Sequence, residues 1–141
     1  MFRARGLHLD DRHVRDADGV AMAASIIDLT LYVTNNYKAL QKEGSSIVLY
    51  LPKIQTAGEA ALWNDMLSEL ENHLHLPLGT TKVYVLVEQL EATYQLMEIR
   101  AALGKHFVGY NTGRWDYINS VADAMGPGIK VLSTRILKPL R

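Results

Sequence analysis

Apolar and polar positions along this chain follow two alternating rhythms. Ile47-Val48-Leu49-Tyr50-Leu51 is an unbroken apolar run ended by Pro52 and Lys53, the pattern of a strand buried on both faces of a parallel sheet. Thr56, with Glu59 three residues on, has the spacing of a capping box and predicts a helix start. Leu62, Met66, Leu67, Leu70 and Leu74 recur at helical spacing as the expected core side. Asn64, Asp65, Ser68, Glu69 and Glu71 fall mainly on the other side.

The plan then repeats. Lys82-Val83-Tyr84-Val85-Leu86-Val87-Glu88, rich in β-branched and aromatic residues, predicts a second strand. Glu91 to Leu103 reads as a helix with Leu96, Ile99 and Leu103 inward and Gly104 at its C-cap. His106 to Tyr110 reads as a short third strand, followed by the turn Asn111-Thr112-Gly113. Upstream, Arg3 to Leu9 fits a strand, Arg15-Asp16-Ala17-Asp18-Gly19 the tip of a hairpin, and Ser25 to Gln41 a helix stopped by Gly44. After Gly113 the expectation is a loop and then a poorly patterned tail.

Strands alternating with helices imply an α/β fold with right-handed crossovers and a parallel sheet. A closed eight-unit barrel needs about 250 residues, roughly 30 per unit. The 141 residues here leave room for about four such units, so the expectation is an open sheet or part of a larger barrel.

Composition narrows the function classes. Fifteen Lys and Arg balance fifteen Asp and Glu, so nothing argues for nucleic acid as a partner. The absence of cysteine removes disulfides, thiolate zinc sites and thiol catalysis. The longest apolar run is far too short to span a bilayer, and neither end carries a targeting motif. A cytoplasmic protein without a membrane partner is expected.

Two acids stand out by position. Glu88 ends an apolar strand, and Asp116 follows the next one, 28 positions on (88 to 116), about one strand-helix-strand period. Corresponding ends of adjacent parallel strands are neighbours, so both carboxylates can meet at the sheet's carboxyl edge. Magnesium is commonly held by one or two carboxylates plus water and substrate oxygens. The alternative leaves Glu88 as a helix cap and Asp116 paired with Arg114 or capping a turn. Lys53, also at a strand end, can face such a site, although a solvated lysine is the ordinary reading. Trp63 and Trp115 read as packing residues.

Other constellations fail. Asp16-Ala17-Asp18-Gly19 has its glycine too early for a calcium loop and Ile27 where an acid is required. His73 and His75 lack i, i+4 spacing, and Gly126-Pro127-Gly128 lacks the ending of a phosphate loop.

Four blocks in order carry a resemblance to a known family. They are Arg5-Gly6-Leu7-His8-Leu9 with Arg12-His13-Val14; Tyr50-Leu51-Pro52-Lys53 with Glu59-Ala60 and Trp63-Asn64-Asp65; Leu78-Gly79-Thr80-Thr81-Lys82 leading to Val85-Leu86-Val87-Glu88; and Gly109-Tyr110-Asn111 with Gly113-Arg114-Trp115-Asp116-Tyr117-Ile118. Together, from about Arg3 to about Ala124, they resemble the A-type malate synthases. The resemblance implies a partial (β/α)8 TIM barrel over 1–125, with a small hairpin near the N-terminus and a divergent tail over 126–141.

The implied activity is condensation of acetyl-CoA with glyoxylate to malate and CoA, the step of the glyoxylate bypass, with Mg2+ as cofactor. Glu88 and Asp116 fall on the metal-ligand positions and Arg3 on the catalytic arginine. The backbone of Gly113, Arg114, Trp115 and Asp116 falls where the glyoxylate carboxylate is held. Two residues from the chain start, Arg3 can equally be a frayed surface side chain. The family's general base, an aspartate in a C-terminal domain, has no counterpart here. The polypeptide is therefore expected to show little or no activity alone, or to be an inactive remnant retaining metal and glyoxylate binding. A carbon–carbon lyase of the citrate-lyase β-subunit type is a third reading, against which the Gly-Arg-Trp-Asp-Tyr block argues. Open barrel edges predict self-association.

Overall fold

Parallel pairing organises the chain into one sheet with helices against it. The computed structural model describes residues 1–126; of the expected tail, only Gly126 lies inside that range. The elements are β1 (Phe2–Arg3), β2 (Asp10–Arg15), β3 (Ala21–Ala23), α1 (Ala24–Lys42), β4 (Ile47–Leu51), α2 (Ala57–His73), β5 (Thr81–Val87), α3 (Leu96–Leu103), β6 (Phe107–Thr112) and α4 (Arg114–Met125). Strand order is β1-β4-β5-β6, parallel throughout. Strands β2 and β3 form a separate antiparallel hairpin. This is an open portion of a β/α barrel.

The buried face of the sheet is built from alternate strand positions. Ile47, Leu49 and Leu51 of β4 and Val83 and Val85 of β5 pack with Leu29, Val33, Trp63, Leu67, Ile99 and Leu103 of the helices. Their partners in the alternation, Val48, Tyr50, Lys82 and Tyr84, are half-buried. The expectation of burial on both faces thus holds on one, because among the described residues the helices cover one face only.

Helix α2 starts at the expected capping box. The Thr56 side chain accepts from Glu59 N–H at 3.2 Å, and Glu59 Oε2 accepts from Thr56 N–H at 3.1 Å. Two of its residues correct the sequence reading. Leu62 is 50% exposed, because Trp63 takes the inward position beside it. Glu71, expected on the outer side, is buried at 1%. Its carboxylate accepts from Gly79 N–H at 2.7 Å and Thr81 N–H at 2.5 Å, and meets His106 Nε2 at 3.2 Å. The other His106 nitrogen lies 2.9 Å from Asn64 Oδ1. A helix wheel sees a charge, whereas the fold uses it to tie the helix end to the start of β5.

Four other expectations need revision. Strand β1 is two residues long, and the chain from Arg5 is fastened instead by charge. Arg5 bonds Asp28 through Nε at 2.9 Å and Nη2 at 2.8 Å, and Asp11 through Nη2 at 2.9 Å. The helix expected over Glu91–Leu103 is a 3-10 turn, Glu91–Tyr94, followed by α3, with Gln95 between them. Strand β6 begins at Phe107, one residue after the expected start, with His106 buried in a short 3-10 turn. Where a loop is expected after Gly113, α4 runs for twelve residues. At the hairpin tip, Asp16 Oδ1 accepts from Asp18 N–H at 3.0 Å and Val20 N–H at 2.8 Å, so this acid serves the turn.

Replacing Glu71 with alanine leaves two backbone donors and an imidazole without their buried acceptor. Glu71→Ala is expected to cost about 3–5 kcal/mol, read as a lowered urea midpoint. The Arg5 cluster makes a second prediction. Arg5, first by its side-chain hydrogen bond, holds Asp28 below the ordinary carboxylate range. Asp11 is lowered to about 2, first by the N–H groups of His13 and Val14. A depressed folded value contributes stability above the unfolded pKa of about 3.9, lost as pH falls through the folded one. Stability should therefore drop between about pH 4 and about 2, and Asp28→Asn should flatten that acid limb in melts across pH.

Candidate functional site

Parallel register brings the ends of β1, β4, β5 and β6 together at one edge. Val87 of β5 sits opposite Thr112 of β6, and Leu51 of β4 opposite Val85, so Glu88 leaves the sheet beside Gly113. Gly113 N–H donates to Val87 O at 2.9 Å, holding β6 tight against β5 at the point where α4 begins. A Cβ on Gly113 would lie 2.7 Å from Glu88 Cβ and 2.9 Å from Glu88 Oε2. The glycine is there because the acid is.

Glu88 is buried at 1%. Its Oε1 accepts from Lys53 N–H at 2.9 Å and lies 3.7 Å from Arg3 Nη2. Asp116 comes near enough for the two carboxyls to perturb each other, and Lys53 links them, its N–H on Glu88 and its ammonium on Asp116. Burial first, and then Asp116, push the Glu88 carboxyl upward, while the Lys53 N–H opposes the shift. Asp116 moves the other way, lowered first by its bond to Lys53 and then by Glu88.

Asp116 stands in the first turn of α4, and its Oδ2 is 2.8 Å from Lys53 Nζ. Lys53 is therefore not the solvated lysine its position suggests. Its backbone turns through φ 61°, a conformation uncommon for a residue with a side chain, and this aims both its N–H and its ammonium at the acid pair. The pairing of Asp116 with Arg114 does not form: Arg114 lies over the Trp115 ring at 4.7 Å. Trp115 is 64% exposed, not packed as expected, whereas Trp63 is fully buried.

Arg3 is placed by β1, in register with Tyr50, and its guanidinium stands 5.8 Å from the Tyr50 ring centroid. The Tyr50 hydroxyl accepts from Asn111 Nδ2 at 2.6 Å. Arg3, Glu88, Gly113 and Asp116 thus gather at this edge, joined by Lys53, read from sequence first as a solvated lysine, and by Tyr50 and Asn111, to which sequence reasoning gave no role. Tyr50 and Asn111 lie at corresponding strand ends, which was the available signal. The Gly113 N–H is engaged with Val87, so the amides left at this helix end are those of Arg114, Trp115 and Asp116, with no side-chain cap. Among the described residues no group of three or more His, Cys, Asp or Glu is arranged to hold a metal ion, and no helix is long and apolar enough to cross a membrane.

Parallel β/α units carrying convergent acids at the strands' carboxyl ends define a segment of a TIM barrel. Comparison with known proteins gives the particular family. The sequence profile described as "Malate synthase, TIM barrel domain" matches residues 1–135, and the chain belongs to that family. It is 48% identical over 120 residues to malate synthase A of Escherichia coli (strain K12), covering 85% of this chain and 22% of that protein. It is 41% identical over 120 residues to malate synthase of Dictyostelium discoideum, with the same coverage. With malate synthase of Myxococcus xanthus (strain DK1622) it shares 38% identity over 132 residues, 94% of this chain and 24% of that one. The chain thus spans about a fifth to a quarter of the length of these relatives.

The close approach of Gly113 to Glu88 carries its own test. The backbone at Gly113 has φ −103°, which alanine adopts freely, so Gly113→Ala isolates the collision. It is expected to cost about 1–3 kcal/mol by overpacking, seen as a lowered melting temperature.

Proposed function

We propose that this chain forms the metal- and glyoxylate-holding edge of a malate synthase, the enzyme condensing acetyl-CoA with glyoxylate to malate and CoA. The observation that carries this reading is that Lys53 links Glu88, through its N–H, with Asp116, through its ammonium, at adjacent strand ends, in a chain of that family. Two carboxylates gathered around one residue, without sulfur or imidazole, make a donor set suited to Mg2+. When bound, the ion would supply Lewis acidity toward the glyoxylate carbonyl.

The chain's own residues perform the remaining work in this reading. Glu88 and Asp116 would hold the ion. The open amides of Arg114, Trp115 and Asp116, at the positive end of α4, would receive the glyoxylate carboxylate, and Gly113 lets that backbone approach Glu88. Arg3, held over Tyr50, offers a permanent positive charge to oxygen as negative charge develops there. Trp115, exposed beneath Arg114, would form part of the rim of the substrate site.

Abstracting an α-proton from the acetyl group needs a positioned base. Neither carboxyl here is free for it: Glu88 is engaged by the Lys53 N–H and Asp116 by the Lys53 ammonium. The 141-residue polypeptide is therefore expected to bind Mg2+ and glyoxylate yet release no CoA from acetyl-CoA. Self-association through the outer edges of β1 and β6 belongs to the same reading, and size-exclusion chromatography reports it. The test of function is calorimetric titration with Mg2+ and glyoxylate, paired with a CoA-release assay. Glu88→Gln and Asp116→Asn should each weaken Mg2+ by at least the roughly 10–100-fold that supporting residues alone contribute. Unchanged affinity in both variants would remove the proposed site, and rapid CoA release would refute the inactive-alone expectation.

A further inference from the structure

Lys53 does two things at once that an ordinary strand-end lysine does not. Its backbone N–H holds Glu88 at 2.9 Å, and its ammonium holds Asp116 at 2.8 Å. A left-handed turn at φ 61° makes the double contact possible, and such backbone conformations gather where function over-determines them. Two neighbouring carboxyl groups repel when both are charged. The cation that answers this repulsion at Asp116 is the Lys53 ammonium; the Arg3 guanidinium stands farther off, 3.7 Å from Glu88.

From this geometry we infer that the Lys53 ammonium is a built-in placeholder for the divalent cation, occupying the Asp116 oxygen until metal displaces it. The inference rests on the reading that Glu88 and Asp116 share such an ion. A divalent ion binding both acids needs carboxylate oxygen at about 2.0–2.1 Å for Mg2+, and an ammonium kept at hydrogen-bonding distance from the same oxygen opposes it by charge. Displacement has somewhere to go: Lys53 also lines a cleft of about 250 Å³ with His8, Gln55, Glu59 and Gln89, where Glu59 provides another carboxylate. The lysine is thus a positioning residue. It keeps the acid pair assembled without metal and raises the concentration of metal needed to load it.

The test separates the ammonium from the backbone. Lys53→Gly keeps the left-handed turn, which glycine adopts readily, and keeps the N–H to Glu88 while deleting the charge. Lys53→Arg keeps a cation. Manganese binding to the full chain, followed by loss of the free-ion electron paramagnetic resonance signal, is expected to tighten about two- to fivefold in Lys53→Gly, the worth of a partly exposed ion pair. Lys53→Arg should hold the wild-type affinity or fall below it. Reductive methylation of the Lys53 amine, quantified by peptide mass spectrometry, should rise when wild type is saturated with manganese. Affinity in Lys53→Gly that is unchanged or weaker, or methylation that does not respond to manganese, overturns the placeholder while leaving the shared-ion reading intact. Wild type, Glu88→Gln and Asp116→Asn all behaving alike toward manganese overturns the shared-ion reading itself, and the placeholder with it.

Discussion

Glu88 leaves a central parallel strand with its carboxyl group buried, and a buried carboxylate is costly unless donors and cations surround it. The local structure at this edge follows from that demand. The Lys53 backbone bends to supply an N–H, Gly113 gives up a side chain so that β6 can stay in register beside the acid, and Arg3 and Lys53 provide positive charge from β1 and from just beyond β4. Asp116, added from the next unit, makes the problem harder, since a second negative charge arrives at the same point.

The opposite edge of the sheet holds a second buried acid with a different solution. Glu71 is as deeply buried as Glu88, yet its oxygens are satisfied within the chain by two backbone N–H groups and an imidazole. It lies where β5 begins, the end of a barrel strand that ordinarily serves stability. Satisfaction distinguishes the two better than burial does. Glu71 has nothing left to bind, whereas Glu88 faces another acid.

Much of the scaffold was legible in the chain because its signals are local. The β4 run, the Thr56–Glu59 cap and the hairpin tip depend on neighbours within a few residues, and each formed where expected. The convergence of Glu88 with Asp116 was also readable, since strand-helix-strand spacing translates into adjacency. Properties set by long-range packing were not. Glu71 looked like a solvent-facing residue because its acceptors' partners, Gly79, Thr81 and His106, lie up to 35 residues away. Leu62 and Trp63 compete for one inward direction, and only the sheet decides between them. α4 escaped notice because half of its residues are exposed and none is fully buried, so no apolar stripe announces it. Lys53 was misjudged because a positive φ outside glycine leaves no trace in sequence.

The bend at Lys53 and the charge it carries are chemically separate properties joined in one residue. Asparagine tolerates a left-handed backbone better than most residues, and both lysine codons lie a single nucleotide from an asparagine codon. Point mutation can therefore delete the ammonium while sparing the fold's geometry.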